Sequence, residues 1–128
     1  MNIISSLFNF IADKLTSILS RLTFLESRYV TRLALTRDNV PIPADSYFAW
    51  FTAYVDYPGY KAIGVVGTRV YDASQSGTLF SWCGFDFCRI TQDAQGKDQV
   101  DFLIRNHNRT TAAKIRYEIY VLYEKKLT

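Results

Sequence analysis

The first 25 residues carry an apolar stripe regular enough to fix one element at once. Ile4, Leu7, Ile11, Leu15, Ile18, Leu22 and Leu25 are separated by 3, 4, 4, 3, 4 and 3 positions. That spacing keeps side chains on one face of an α-helix. The pattern also repeats after eleven residues: Ile4 with Leu15, Leu7 with Ile18, Phe8 with Leu19, Ile11 with Leu22. An eleven-residue repeat lets the stripe run nearly straight or with a slight right-handed supercoil. At about 1.5 Å per residue the predicted helix is about 40 Å long.

A stripe of this kind needs a cover, and three covers compete. Copies of the same helix can bury it in a parallel bundle, the chain's own remaining residues can pack across it, or it can lie on a membrane surface. Phe8, Phe10 and Leu19 widen the stripe beyond a two-stranded seam, which favours three or more helices. The opposite face (Asn2, Ser5, Asn9, Thr16, Ser20) is polar but poor in Lys, whereas most interfacial helices are basic there. Asp13 and Lys14 interrupt the apolar run and no basic residue precedes it. The segment therefore reads neither as a secretory signal nor as a spanning helix. The bundle is the expected cover, and Ile4, Leu7, Ile11, Leu15, Ile18, Leu22 and Leu25 are the expected oligomerisation residues.

After Glu26 the apolar period changes from 3.6 to 2, the signature of strands. Candidate strands cover residues 29–36, 46–55, 61–71, 79–90 (one long strand or a hairpin turning near Gly84), 99–105 and the final alternating run. The Asp38-Asn39 and Pro41-Ile42-Pro43 segments read as a connection. Tyr57-Pro-Gly-Tyr60 suits a type II turn. Ala62-Ile-Gly-Val-Val-Gly67 is apolar on both faces, as expected of a central, covered strand. In the last run Ile115, Tyr117, Ile119, Val121 and Tyr123 share one face, opposite Lys114, Arg116, Glu118 and Glu124. Six or seven strands with turn signals between them, and no second helix, indicate an antiparallel sandwich or barrel. The expected fold is mainly β: an N-terminal coiled-coil-like helix (1–28), then a jelly-roll-like antiparallel β-sandwich (29–128).

Composition excludes some functions. The net charge is +3, split as +1 over residues 1–28 and +2 over the rest, with no basic block, so a nucleic-acid partner is not expected. Cys83 and Cys88 are too few for a disulfide framework. Their five-residue spacing would put them on opposite faces of an unbroken strand. No further Cys pair completes a zinc site, and no metal or cofactor is expected.

Catalytic patterns are equally thin. The single histidine, His107, lies between Asn106 and Asn108 in a predicted hairpin loop, and nucleophilic catalysis by Ser or Cys usually requires such a base. Asp45, Asp56, Asp72, Asp86, Asp93, Asp98 and Asp101 fall mainly at strand ends and turns, where Asp is common without chemistry. Gly64 and Gly67 lie inside a strand and no Lys-Ser/Thr follows, so no phosphate loop is present. Asn108-Arg109-Thr110 matches a glycosylation triplet, which matters only in a eukaryotic secretory setting. The expectation is a non-enzymatic protein.

Aromatic residues make up 16% of the chain. Tyr57, Tyr60 and Tyr71 fall at predicted strand ends near turns and Trp82 in the polar-flanked stretch Ser81-Trp82-Cys83-Gly84, where such side chains stack on sugars or anchor a partner. They are the candidate ligand-binding aromatics; capping the sandwich core is their other possible use.

Two stretches, Tyr57-Pro-Gly-Tyr-Lys-Ala-Ile-Gly-Val-Val-Gly-Thr-Arg-Val-Tyr71 and residues 103–125 with their Arg105-Asn106 turn and Val121-Leu-Tyr123 ending, resemble the small β-domains of phage and prophage structural proteins. The resemblance spans about residues 36–125. It implies a trimeric cap of the tail-fibre, baseplate or head-fibre type, with its stem on the N-terminal side. The implied partners are the chain itself as a homotrimer, other virion proteins, and a host cell-surface receptor or glycan. The implied location is the virion, or the producing bacterial cell before assembly. No catalytic residue comes with it. A monomeric sugar- or peptide-binding sandwich with a membrane-surface helix is the alternative.

Overall fold

A computed structural model describes residues 2–75 and 77–127, without the side chains of residues 25–27. Helix α1 spans Ile3–Arg28. It starts where the Asn2 carboxamide accepts the Ile4 N–H at 2.9 Å, filling one of the donors that a helix start leaves open. It ends where the β-branched and aromatic run Tyr29-Val30-Thr31 begins. Tyr29 is already extended, so helix passes into strand without a loop.

Six strands follow: β1 Tyr29–Ile42, β2 Tyr47–Tyr54, β3 Tyr60–Asp72, β4 Cys83–Gln92, β5 Asp98–Asn106 and β6 Ala113–Lys125. They form two three-stranded sheets, β1-β6-β3 and β2-β5-β4, antiparallel throughout. Every connection except β4–β5 crosses between sheets, which is the connectivity of a jelly roll reduced to six strands. The chain is an N-terminal helix followed by a mainly β, sandwich-like body, as its periodicity predicts.

The central strands β5 and β6 alternate cleanly. Val100, Phe102 and Ile104 on β5, with Ile115, Tyr117, Ile119 and Val121 on β6, are fully buried between the sheets. Phe102 lies at the middle of an aromatic cluster, its ring 5.0 Å from Tyr117, 5.8 Å from Phe85 and 6.0 Å from Phe48. Two buried polar residues tie the ends. At the helix end, the Asp98 carboxylate accepts the Ala62 N–H at 2.8 Å, linking the two sheets. At the far end, the Asn106 amide donates to the carbonyls of Ile42, Pro43 and Thr111 at 3.0–3.3 Å and its oxygen accepts the Asn108 N–H. Tyr57-Pro-Gly-Tyr60 forms the expected turn, with Gly59 at φ 83° and the Tyr60 N–H donating to the Tyr57 carbonyl.

Three local expectations are corrected, two by a register shift and one by strand order. Pro41 and Ile42 belong to β1; the irregularity at Asp38-Asn39, with Asn39 at φ 54°, is a bulge within it. The apolar strand β3 is an edge strand, not a central one, with shifts at Ile63 and Val66. A shift at Asp86 in β4 turns Cys83 and Cys88 to the same inner face, where both are free thiols. Each added residue reverses the inside–outside alternation beyond it.

Candidate functional site

The stem comes first because the fold leaves it uncovered. Ile4, Leu7, Ile11, Leu15, Ile18 and Leu22 are each 45–62% exposed; the side chain of Leu25 lies outside the described residues. Among the described residues the helix meets the body at its root. There the Arg28 guanidinium pairs with Glu124 through Nε at 2.9 Å and through a second, shorter contact from Nη2. The helix does not fold back across its own sandwich, so that possible cover is removed. From Ile3 to Phe24 the segment also has the length and mean hydropathy, 1.2 over 22 residues, of a membrane span.

The four aromatics near turns do not form one site. Tyr57 and Tyr60 stack at the root end, ring centroids 4.5 Å apart and planes within 7°. Tyr57 also meets Tyr123 in a T-shaped contact at 5.5 Å and carries the Arg32 guanidinium at 3.9 Å. This pair closes the core at the rim. Tyr71 and Trp82 lie at the opposite end. Tyr71 accepts from Arg69 at 3.2 Å beside Arg116, and Trp82 packs edge-on against Phe80 at 5.0 Å.

A surface that the sequence pattern hid lies on the outside of the β2-β5-β4 sheet. Tyr47, Phe51 and Tyr54 on the edge strand β2 are more than half exposed, and Phe87 on β4 is 38% exposed. Phe51 and Phe87 stack at 6.3 Å and 24°. Arg105 lies over Tyr47, Arg89 over Phe87 and Lys97 over Tyr54 at 5.8–6.0 Å. Both arginines are held by carboxylates, Arg105 by Asp86 at 2.8 Å and Arg89 by Asp101 at 3.2 Å. The result is a near-neutral aromatic platform with fixed polar edges. Residues 47–54 are aromatic on both faces and the strand shifts register between Trp50 and Ala53, so no clean alternation marks its outer side.

A groove of about 300 Å³ opens at the far end, lined by Asp38, Tyr71, Asp72, Gly77, Arg116 and Glu118. Its charges are engaged internally: Arg116 donates to the buried Glu118 at 2.7 Å, and Asp72 accepts from the Ser74 N–H at 2.9 Å. Elsewhere, His107 Nε2 stands 3.8 Å from Asp86 on the surface. Burial pushes the Cys83 thiol up to about 11 and the Cys88 thiol up to about 12, so neither is the thiolate that nucleophilic chemistry uses. Among the described residues no cluster of three metal-ligating side chains occurs.

Neither a family model, a curated protein nor a solved structure matches this chain.

Proposed function

We propose that this chain is a non-enzymatic, homotrimeric virion structural or host-attachment protein of phage type. In this reading α1 is the stem that sets the stoichiometry and the β-sandwich is the head that meets a partner. One observation carries it: a 26-residue helix whose apolar stripe, among the described residues, is left about half exposed by its own chain. Among the described residues eleven large apolar side chains of this helix are 45–84% exposed. At on the order of 100 Å² each left in water, they exceed the few hundred Å² a monomer usually shows and match the roughly 800 Å² per partner of a stable interface. Width favours three strands over two, since Phe8, Phe10 and Leu19 flank the seam.

Three heads on one stem would present three copies of the aromatic platform, turning weak contacts to a host receptor or glycan, or to another virion protein, into useful avidity. Such a particle component belongs in the virion, and before assembly in the bacterial cell that makes it. Size-exclusion chromatography with light scattering tests the stem directly. The wild-type chain is expected at three times its monomer mass, and Ile11→Asp with Ile18→Asp is expected to reduce it to monomer with the head still folded. A wild-type monomer at micromolar concentration overturns the proposal.

A second reading draws on the length and hydropathy of Ile3–Phe24: a monomeric sugar- or peptide-binding head held at a membrane by its helix. Asp13 and Lys14 weigh against a span, because each costs about 2.5–3.5 kcal/mol at the centre of a bilayer helix. Flotation with liposomes, neutral and anionic, separates the readings; co-flotation of wild-type protein would favour the membrane.

A further inference from the structure

The outer face of the β2-β5-β4 sheet interleaves rings and charges. Val100, Phe102 and Ile104 on β5 are buried in the core, so Gln99, Asp101, Leu103 and Arg105 point outward. Across the ladder Tyr47 pairs with Arg105 and Tyr54 with Gln99 on one flank. On the other flank Phe87 pairs with Leu103 and Arg89 with Asp101. Directly paired residues share a side of the sheet, so exposed rings and ion pairs stand on one face.

The charges cancel: Arg89, Lys97 and Arg105 stand against Asp86, Asp93 and Asp101, three of each sign. An anionic ligand finds no excess of cation here, and a nucleic-acid backbone finds none either. The same arrangement disfavours a protein partner. The centre of a protein interface is depleted of charged residues, whereas here Arg89, paired with Asp101, lies over Phe87 of the Phe51–Phe87 stack. Taking such a pair out of water costs more than its attraction returns unless the partner satisfies its remaining donors and acceptors.

Those donors and acceptors are open at one end of the face. Arg105 reaches Asp86 through Nε alone, at 2.8 Å, so among the described residues both of its terminal nitrogens keep their donors. Asp86 Oδ1 has His107 Nε2 at 3.8 Å, beyond hydrogen-bond reach, and is open to accept. Both side chains of this pair are more than a third exposed. Tyr47, 57% exposed, carries the Arg105 guanidinium 6.0 Å from its ring centroid. An apolar ring, fixed donors and a fixed acceptor thus lie side by side. Neighbouring sugar hydroxyls donate and accept at once, and the C–H face of a pyranose is apolar enough to lie on a ring.

We infer that this face binds a neutral glycan, with a pyranose on Tyr47 and its hydroxyls held between Arg105 and Asp86. The next sugar of the chain reaches Phe87, which pairs with Leu103, two residues and about 7 Å along β5 from Arg105. The inference rests on the reading of the head as the part that meets a partner, and it does not need the stem's stoichiometry.

NMR titration of the full chain tests it, using the methyl glycosides of glucose, galactose, mannose and N-acetylglucosamine at millimolar concentration, with a methyl sialoside as the anionic control. At least one neutral glycoside is expected to saturate, with shift changes centred on Tyr47, Phe87 and Arg105. Tyr47→Ala and Asp86→Asn alter exposed side chains, so the core signals of Phe102 and Tyr117 should stay in place. Each is expected to weaken that binding by at least about fivefold. No saturating neutral glycoside, binding of the sialoside alone, or binding that survives both substitutions overturns the inference. These probes are monovalent and read one head at a time. A monomeric wild type that still binds a neutral glycoside therefore overturns the stem and upholds the glycan site, and an oligomeric wild type that binds none does the reverse.

Discussion

The same residue types meet opposite fates in the two regions of this molecule. In the head, Ile104, Ile115, Ile119 and Val121 are fully buried and their backbones lie in ladders. In the stem, Ile4, Ile11, Ile18 and Leu22 stay about half in water although their helix is complete. The head buries these side chains within one chain, while the described stem residues leave theirs about half in water. Burying an Ile or Leu side chain fully stabilises by about 1.5–3 kcal/mol, so the six described stripe residues, about half in water, forgo on the order of 5–9 kcal/mol, comparable to a domain's net stability. The contrast sets the stem apart from the core as the uncovered part of the molecule.

That contrast is broken most directly from the head. Phe102 touches Phe48, Phe85 and Tyr117 and has no exposed surface. Phe102→Ala is expected to cost about 3–5 kcal/mol in urea unfolding, because it removes the ring and leaves a cavity between two stiff sheets. A cost below 1 kcal/mol would mean that the head is not the self-contained unit described here. Asn106→Ala should cost less, about 1–3 kcal/mol, since three carbonyls and the Asn108 N–H lose a buried partner while little volume is lost. For a domain of this size that is a fall in Tm of about 4–8 °C per kcal/mol. An unchanged Tm would show that water replaces the amide at no cost.

The legible parts of the sequence were those where local spacing equals structural spacing. Residues 3–28 follow one helical period and the central strands β5 and β6 one strand period, and the buried faces of the two strands are the predicted ones. Strand β3 misleads for two reasons that act together. Its outward residues Ile63 and Val66 are apolar, and each lies at a register shift, so an edge strand imitates a covered central one. Asp86 does the same on a smaller scale, bringing Cys83 and Cys88 to one face. The candidate aromatics show a different limit. Tyr57, Tyr60, Tyr71 and Trp82 are indeed near strand ends, but which ends are neighbours depends on strand order, which no local window contains. The sheet order divides them into a root pair and a far-end pair, and it gathers Tyr47, Phe51, Tyr54 and Phe87 instead.

The smallest expected effect is also the sharpest test of independence between stem and head. Cys83 and Cys88 report whether the sandwich is closed, because both face its interior and burial holds both thiols protonated, up to about 11 and about 12. A thiol reagent at pH 8 needs thiolate, so both should react far more slowly in the native chain than in urea. If the stem covers itself with copies and the head closes on its own, Ile11→Asp with Ile18→Asp removes the oligomer yet leaves the reaction rate within about twofold of wild type, whereas Phe102→Ala accelerates it. The pH dependence carries the same signature. Each raised thiol favours the folded state fully below its ordinary value of 9.0, and this contribution is lost as pH rises from there toward the folded values, because only the unfolded chain ionises readily in that window. Unfolding followed from pH 8 to 11 should therefore show the same downward slope in the stem variant and the wild type. A stem variant whose thiols react several times faster, or whose alkaline slope is lost, would mean that the head leans on the assembled stem to stay shut, and the division between a self-satisfied head and an open stem would have to be given up.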